Sequence, residues 1–149
     1  MKRFFASWFP RQEFRVDGEP SPRMIKWTLL STPVGMVFLH KFLGPDWTRD
    51  PHDHPAYFVS IGLWGSYIES VYDRDGQELY ERKWRAPWVR MFPPTHIHRT
   101  SWVSPHRAYT ICLTGKWVHQ WGFMLGNQSV AWRDYVKRYR SARSDRDAA

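Results

Sequence analysis

Cysteine is nearly absent: Cys112 stands alone among 149 residues. That excludes an intrachain disulfide and a zinc site built on cysteine. No apolar run approaches the eighteen or so residues of a membrane helix, so no membrane span is expected. The opening "MKRFFASWFPRQ" has a basic tip, but its apolar stretch is short and ends in Pro-Arg. It reads as no signal peptide, and a cytoplasmic protein is the expectation. Glycine-rich phosphate loops, Ser/His/Asp elbows and Cys–His nucleophile patterns are also missing. What the chain has instead is apolar and aromatic content: 42% hydrophobic, 17% aromatic, ten tryptophans. That is too much for a disordered chain, and the length suits one domain with a core of its own.

The formal net charge of +8 belongs to the two ends. Residues 27 to 132 are nearly balanced, with ten Lys/Arg against eight Asp/Glu. The N-terminal segment carries Lys2, Arg3, Arg11, Arg15, Arg23 and Lys26, and the C-terminal segment Arg133, Lys137, Arg138, Arg140, Arg143 and Arg146. Such ends can bind nucleic acid or an acidic partner, and they also serve simply as solvated surface.

Residues 1–26 are rich in proline, glycine and charge without a sustained period, and predict a loosely structured lead-in. Two strand-like runs follow, divided at Thr32-Pro33-Val34-Gly35, which is the pattern of a hairpin. Residues 44–55 form a loop with prolines. Then come "AYFVSIGLW", a break at Gly65, "SYIESVY", and the turn "DRDGQ", where Gly76 supplies positive φ. Further strands are predicted at "LYERKWR", "WVRMF", "HRTSWV", "AYTICLTG" and "WVHQWGFML". About eight to ten short strands separated by Gly, Pro and Asp turns indicate an all-β sandwich or barrel over 27–128. The tail differs. Trp132, Tyr135, Val136 and Tyr139 recur at helical steps, and Ser129 is placed to cap them, so 129–143 predicts one amphipathic α-helix lying on the barrel. Tyr57, Trp64, Arg90 and Tyr109 are candidates for the barrel interior. Cys112 lies in an apolar strand and reads as core.

Seven histidines are present, and four of them form two His-x-His pairs: His52 with His54, and His96 with His98. On an extended strand, residues two apart share a face with Cβ atoms roughly 7 Å apart. Two imidazoles so placed can converge on one ion at about 2.0–2.2 Å. His40, His106 and His119 have no partner at ligand spacing and read as structural.

These pairs resemble the two histidine motifs of the cupin superfamily, small antiparallel jelly-roll barrels that hold a metal. His52-Asp53-His54 matches the first His-x-His, and Gly65 its closing glycine. The glutamate position falls on Phe58, which cannot ligate. "PPTHIH" resembles the second motif as Pro93, Thr95 in place of glycine, and His98, with His96 the runner-up ligand. The phrases "PHDHP", "GSYIE", "THIHR" and "LTGKWVHQWGF" also resemble small bacterial and phage cupin-like proteins.

The resemblance implies an all-β antiparallel cupin-type jelly roll with a three-His site for a divalent metal. Iron(II) is first in expectation, and zinc(II) or nickel(II) also suits imidazole. An iron(II) oxygenase acting on a small molecule follows from such a site. Glu69 and Tyr67 are its catalytic candidates: Glu69 as fourth ligand, acceptor for an imidazole N–H, or base, and Tyr67 to orient substrate or move a proton. The alternative is a metal-free or non-catalytic cupin binding a small ligand such as a nucleotide or sugar derivative. A homodimer is expected because open barrel edges invite pairing.

Overall fold

The computed structural model describes residues 9–15, 20–46, 48 and 50–138. Nine strands follow one another: β1 (Arg11–Phe14), β2 (Met24–Thr32), β3 (Gly35–Phe42), β4 (Phe58–Tyr72), β5 (Glu78–Arg85), β6 (Trp88–Phe92), β7 (Ile97–Thr114), β8 (Gly122–Leu125) and β9 (Gln128–Ala131). All their pairings are antiparallel. A helix occupies 132–138. No described helix is long and apolar enough to cross a membrane.

Two long strands, β4 and β7, pair with each other from Phe58↔Thr114 to Tyr72↔Ile97 and belong to two sheets at once. The first half of β4 pairs β6 and its second half pairs β5. The last half of β7 pairs β3, which continues to β2 and β1. The first half of β7 is instead bridged at His98 to His52, which in turn bridges Phe123 of the β8–β9 hairpin. One sheet is thus β1-β2-β3-β7-β4-β6, and the other runs from β5 through β4 and β7 to β8 and β9. Their shared strands make the jelly roll.

The corner has a local cause. Gly65 has φ 77° and Arg107 φ 70°, and the β4–β7 register shifts on both sides of Gly65. A Cβ on Gly65 would lie 1.8 Å from the Arg107 carbonyl oxygen, so only glycine fits. The shift also changes which residues face inward. Phe58, Ser60 and Gly62 are buried before it, whereas Tyr67, Glu69 and Val71 are buried after it.

The hairpin at Thr32–Gly35 forms as expected, with the Thr32 hydroxyl accepting from the backbone N–H of Val34 and of Gly35. In the β4–β5 turn the Asp73 carboxylate accepts from Asp75 N–H and Gln77 N–H, and Gly76 takes φ 76°. The core of the first sheet stacks Phe58 on Phe92 at 4.4 Å, with Cys112 and Phe38 beside them. Each such ring contributes about 1.5–3 kcal/mol by leaving water.

Several expectations are corrected. The segment read as a loose lead-in contains β1, a four-residue edge strand too short to show a period. Gly65 bends a continuous strand rather than ending one, and "HRTSWV" and "AYTICLTG" are one strand, β7. Of "WVHQWGFML" only Gly122–Leu125 is strand. Ser129 lies within β9 and caps no helix, because β8 supplies its backbone with a partner. Tyr57 and Trp64 are 57% and 64% exposed, on the outward parity and at the bulge. Tyr109 likewise faces outward, where the Lys41 ammonium sits over its ring. Arg90 does point inward. The helix packs through Trp132, stacked on Trp121, and Tyr135, stacked on Phe123 at 4.0 Å. Tyr139 and the rest of the expected helix lie outside the described residues.

Candidate metal centre

The loop bearing His52 and His54 is held as an extra strand. His52 N–H donates to His98 O at 2.9 Å, and His98 N–H returns to His52 O at 3.0 Å. On its other side Met124 N–H donates to Pro51 O, Asp53 N–H to Gly122 O, and Gly122 N–H to the Asp53 carboxylate. His119 Nε2 donates to His54 O, a structural role consistent with its reading as a non-ligand. Extended backbone then does what the spacing predicts. His52 and His54 face the barrel interior together, and His98 of β7 meets them.

The ligand nitrogens of His52, His54 and His98 all lie within 4.8 Å of one another. His54 Nε2 is 2.7 Å from His98 Nε2. Burial, reinforced by the neighbouring imidazoles, pushes His52 down to about 3 and His54 well below the usual range, so both are neutral near pH 7. His52 Nδ1 is buried with no hydrogen-bond partner, and the nearest carboxylate oxygen, of Asp46, is 3.9 Å away. Three imidazoles with converging nitrogens, two of them held neutral by burial and one of these bearing an orphaned buried atom, are a donor set that fits a divalent ion.

Beneath the triad sits Glu69, 1% exposed. Its carboxylate accepts from His98 Nδ1 at 2.5 Å, His96 Nε2 at 2.9 Å, Trp84 Nε1 at 2.8 Å and both terminal nitrogens of Arg90. Burial alone would raise its pKa. The hydrogen bonds from His96, His98 and Arg90 outweigh that and hold it well below the carboxylate range. Because Nδ1 faces Glu69, His98 turns its Nε2 toward His52 and His54.

His96 is brought to Glu69 rather than to the triad. Glu69, His96 and His98 form a second group whose ligand atoms lie close together, but the Arg90 guanidinium already supplies its cation. Arg90 is itself sandwiched, 4.0 Å from the Trp84 ring centroid and 3.6 Å from that of Phe92. Tyr67 is buried between Phe42 and Trp88, and burial pushes its phenol far above the usual value. Phe58, in the position of the missing glutamate, packs edge-on against His54 at 4.4 Å. Thr95, standing where the motif has glycine, is in a turn closed by His96 N–H to Pro93 O and does not take positive φ.

Sequence reading did not assign Trp84 or Arg90 to the site. Arg90 carried one signal, a cation among apolar residues on an inward-read strand. Trp84 carried none, because its place follows from the Tyr67↔Trp84 pairing. His40 and Cys112 are core, with His40 Nδ1 3.5 Å from the sulfur.

No protein-family model and no curated protein sequence matches the chain. Among solved structures it is similar to a cupin-2 domain protein from Rhodospirillum rubrum, at 12% identity and TM-score 0.53, over 87% of this chain and 80% of that one. It is similar to HppE with Fe(II) and the alternative substrate (S)-1-HPP, at 12% identity and TM-score 0.57, over 72% of this chain and 56% of that one. It is also similar to Bacillus subtilis oxalate decarboxylase, a protein with Mn(II) centres, at 13% identity and TM-score 0.54, over 70% of this chain and 29% of that one. The chain therefore spans little more than half of HppE and under a third of the decarboxylase. At these identities the likeness concerns architecture, and it agrees with the shared bent strands and the antiparallel pairing: the chain has the cupin fold, a double-stranded β-helix.

Proposed function

We propose that this is a metal-dependent cupin enzyme acting on a small molecule, with His52, His54 and His98 holding a divalent ion. The observation that carries the reading is the convergence of three half-buried imidazoles, one oriented by a carboxylate from behind. Iron(II) is the first choice, since the ligand set contains no carboxylate and HppE, of the same fold, holds Fe(II). Zinc(II) and nickel(II) are compatible with imidazole too. Bound there, iron(II) would supply dioxygen activation and an open position for a chelating or anionic substrate.

The chain's own residues do the rest. Glu69 fixes the tautomer and ring plane of His98. Its five hydrogen bonds make it a poor base, so we assign it to positioning rather than proton abstraction. Arg90 and Trp84 keep Glu69 ionised and turned toward His98. Tyr67 closes the interior below the site.

Metal analysis of protein made without an affinity tag tests this. About one divalent ion per chain is expected, lost in His52→Ala and in His98→Ala and retained in His119→Ala. Loss in His96→Ala with retention in His98→Ala would assign the second ligand to the wrong histidine. The 2.7 Å approach of His54 Nε2 to His98 Nε2 favours one rival, a metal-free small-ligand binder in which the two rings share a proton. Unchanged metal content across all these variants would select it.

A further inference from the structure

The basic excess near the N-terminus has a place in the fold that the metal site does not use. Across the outer face of β1, β2, β3 and β7, one row of cross-strand partners reads Glu13, Ile25, Lys41 and Tyr109. Two residues further along each chain segment come Arg15, Arg23, Leu43 and Arg107, just past the last paired rungs of β1, β2 and β3. There β7 leaves the sheet. β4 advances only from Gly65 to Tyr67 while β7 runs from Ala108 to Val103, so residues 104–107 bulge out opposite Ser66 alone. The Ser104 hydroxyl ties the bulge, donating to the Arg107 carbonyl at 2.9 Å and accepting from Ser66 N–H. This bulge and β1 wall a groove of about 730 Å³, with Ile25 and Leu43 between them and Trp102 beyond the bulge.

Five cations line the groove, Arg11, Arg15, Arg23, Lys41 and Arg107, against one carboxylate, Glu13, among the described residues. Glu13 is already engaged: it pairs with Arg11 and accepts from Arg15 Nε at 3.0 Å. The Arg23 side chain lies over Gly44, where a Cβ would stand 2.8 Å from one of its terminal nitrogens. The Lys41 ammonium rests over the Tyr109 ring. Arg107 holds φ 70°, a left-handed conformation that disfavours any residue with a Cβ. Among the described residues its guanidinium has no hydrogen bond or ion pair. A strained backbone that carries an unpaired cation into a basic groove points to a ligand that pairs it.

We propose that this groove binds a single-stranded nucleic acid, with phosphates on the five cations and a base stacked on Trp102. The span fits. From β1 to β7 is three strand spacings, about 14 Å, the length of about four nucleotides at about 3.4 Å each. The chemistry fits as well. Guanidinium forks take phosphate oxygens two at a time, and a lysine adds a point charge. Trp102 is 38% exposed and offers a flat apolar ring on which bases stack and carboxylate side chains do not. Lys83, whose ammonium stands over that ring at 5.2 Å, extends the positive stripe. An open trough across four strands suits a polymer that enters and leaves, whereas small molecules are held in pockets that enclose them. The metal is not involved: the groove lies on the outer face, and the histidines point into the barrel.

Fluorescence anisotropy of a labelled 12-nucleotide oligothymidylate with the full chain at 50–200 mM NaCl, metal content being measured in parallel, tests it. A dissociation constant of about 10 µM or tighter is expected at the lowest salt. Log affinity should fall against log salt with a slope of about −3, from about four phosphate contacts at about 0.7 each. Lys41→Gln with Arg107→Gly should weaken binding at least tenfold and bring the slope to about −1.5, with metal content unchanged. Arg107→Gly also removes the backbone conflict, so the fold is kept. Trp102→Ala should weaken binding about tenfold and leave the slope in place. Arg140→Gln with Arg143→Gln, in the C-terminal basic segment, should change affinity less than about threefold. Absence of binding at 50 mM salt would overturn the proposal. So would a duplex of the same length binding as tightly, or polyglutamate competing as well as unlabelled oligonucleotide. Binding lost with the two C-terminal arginines and kept in the groove variants would overturn it too.

Discussion

Glu69 and His40 show how differently one barrel interior treats two ionisable side chains. Glu69 is buried but fully served, with Arg90 as its counter-ion. Replacing it with glutamine removes one charge of a buried pair and leaves the guanidinium uncompensated, which costs about 3–5 kcal/mol. Glu69→Gln should therefore lower the urea midpoint markedly, while Arg90→Lys, which keeps charge but loses the two-pronged contact, should cost less. His40 is buried without service at Nε2, and burial, with Lys26 nearby, pushes its pKa down to about 3. The unfolded chain takes up a proton on this imidazole below about 6.5, and the folded chain does not until about 3. Stability must then fall as pH drops through that window, by about 1.4 kcal/mol per unit from this residue. His40→Leu should flatten the decline between pH 6.5 and 4.5 by about that slope, read from urea midpoints at several pH values.

Among the elements, β4 decides where the site can be. Its bulge at Gly65 converts an even inward parity into an odd one, and without that change Phe58 and Glu69 could not both face the interior. Gly65→Ala meets the Arg107 carbonyl and an unfavourable φ together, and a loss of at least about 2–3 kcal/mol in chemical denaturation is expected. Much around β4 was legible in the sequence. Alternation located most strands, Asp-Gly located the β4–β5 turn, and the His-x-His spacing located both histidine pairs. Parity was not legible beyond Gly65, because one sequence cannot say whether a glycine ends a strand or bends it. Trp64 was misread as interior because it sits at this bulge, and Tyr57 because the parity of a strand starting just after Pro55 cannot be read from the sequence. Arg90 and Trp84 reach Glu69 only through pairings distant in sequence, and β9 was absorbed into the helix because four residues with an apolar end fit either period.

At the scale of the whole molecule, the histidine loop is fastened from three directions: β7 through His98, β8 through Gly122 and Met124, and the helix through Tyr135, whose hydroxyl donates to Asp50 at 2.7 Å. The helix is thus a buttress for the loop as well as a lid over Phe123. Tyr135→Ala should cost about 3–5 kcal/mol as an aromatic truncation, and Tyr135→Phe about 1.5–3 kcal/mol for a hydrogen bond to a carboxylate. Both should raise hydrogen-exchange rates at His52 and His54 N–H before those of β4. The bent pair β4–β7 has a mechanical consequence. Because the same two strands run unbroken through both sheets, the sheets cannot part like the shells of a clam without tearing their longest ladder. The histidine loop instead meets Pro94 through His54 N–H, and the 115–121 segment through the carbonyls of Pro55 and Tyr57, contacts that can open without parting the sheets.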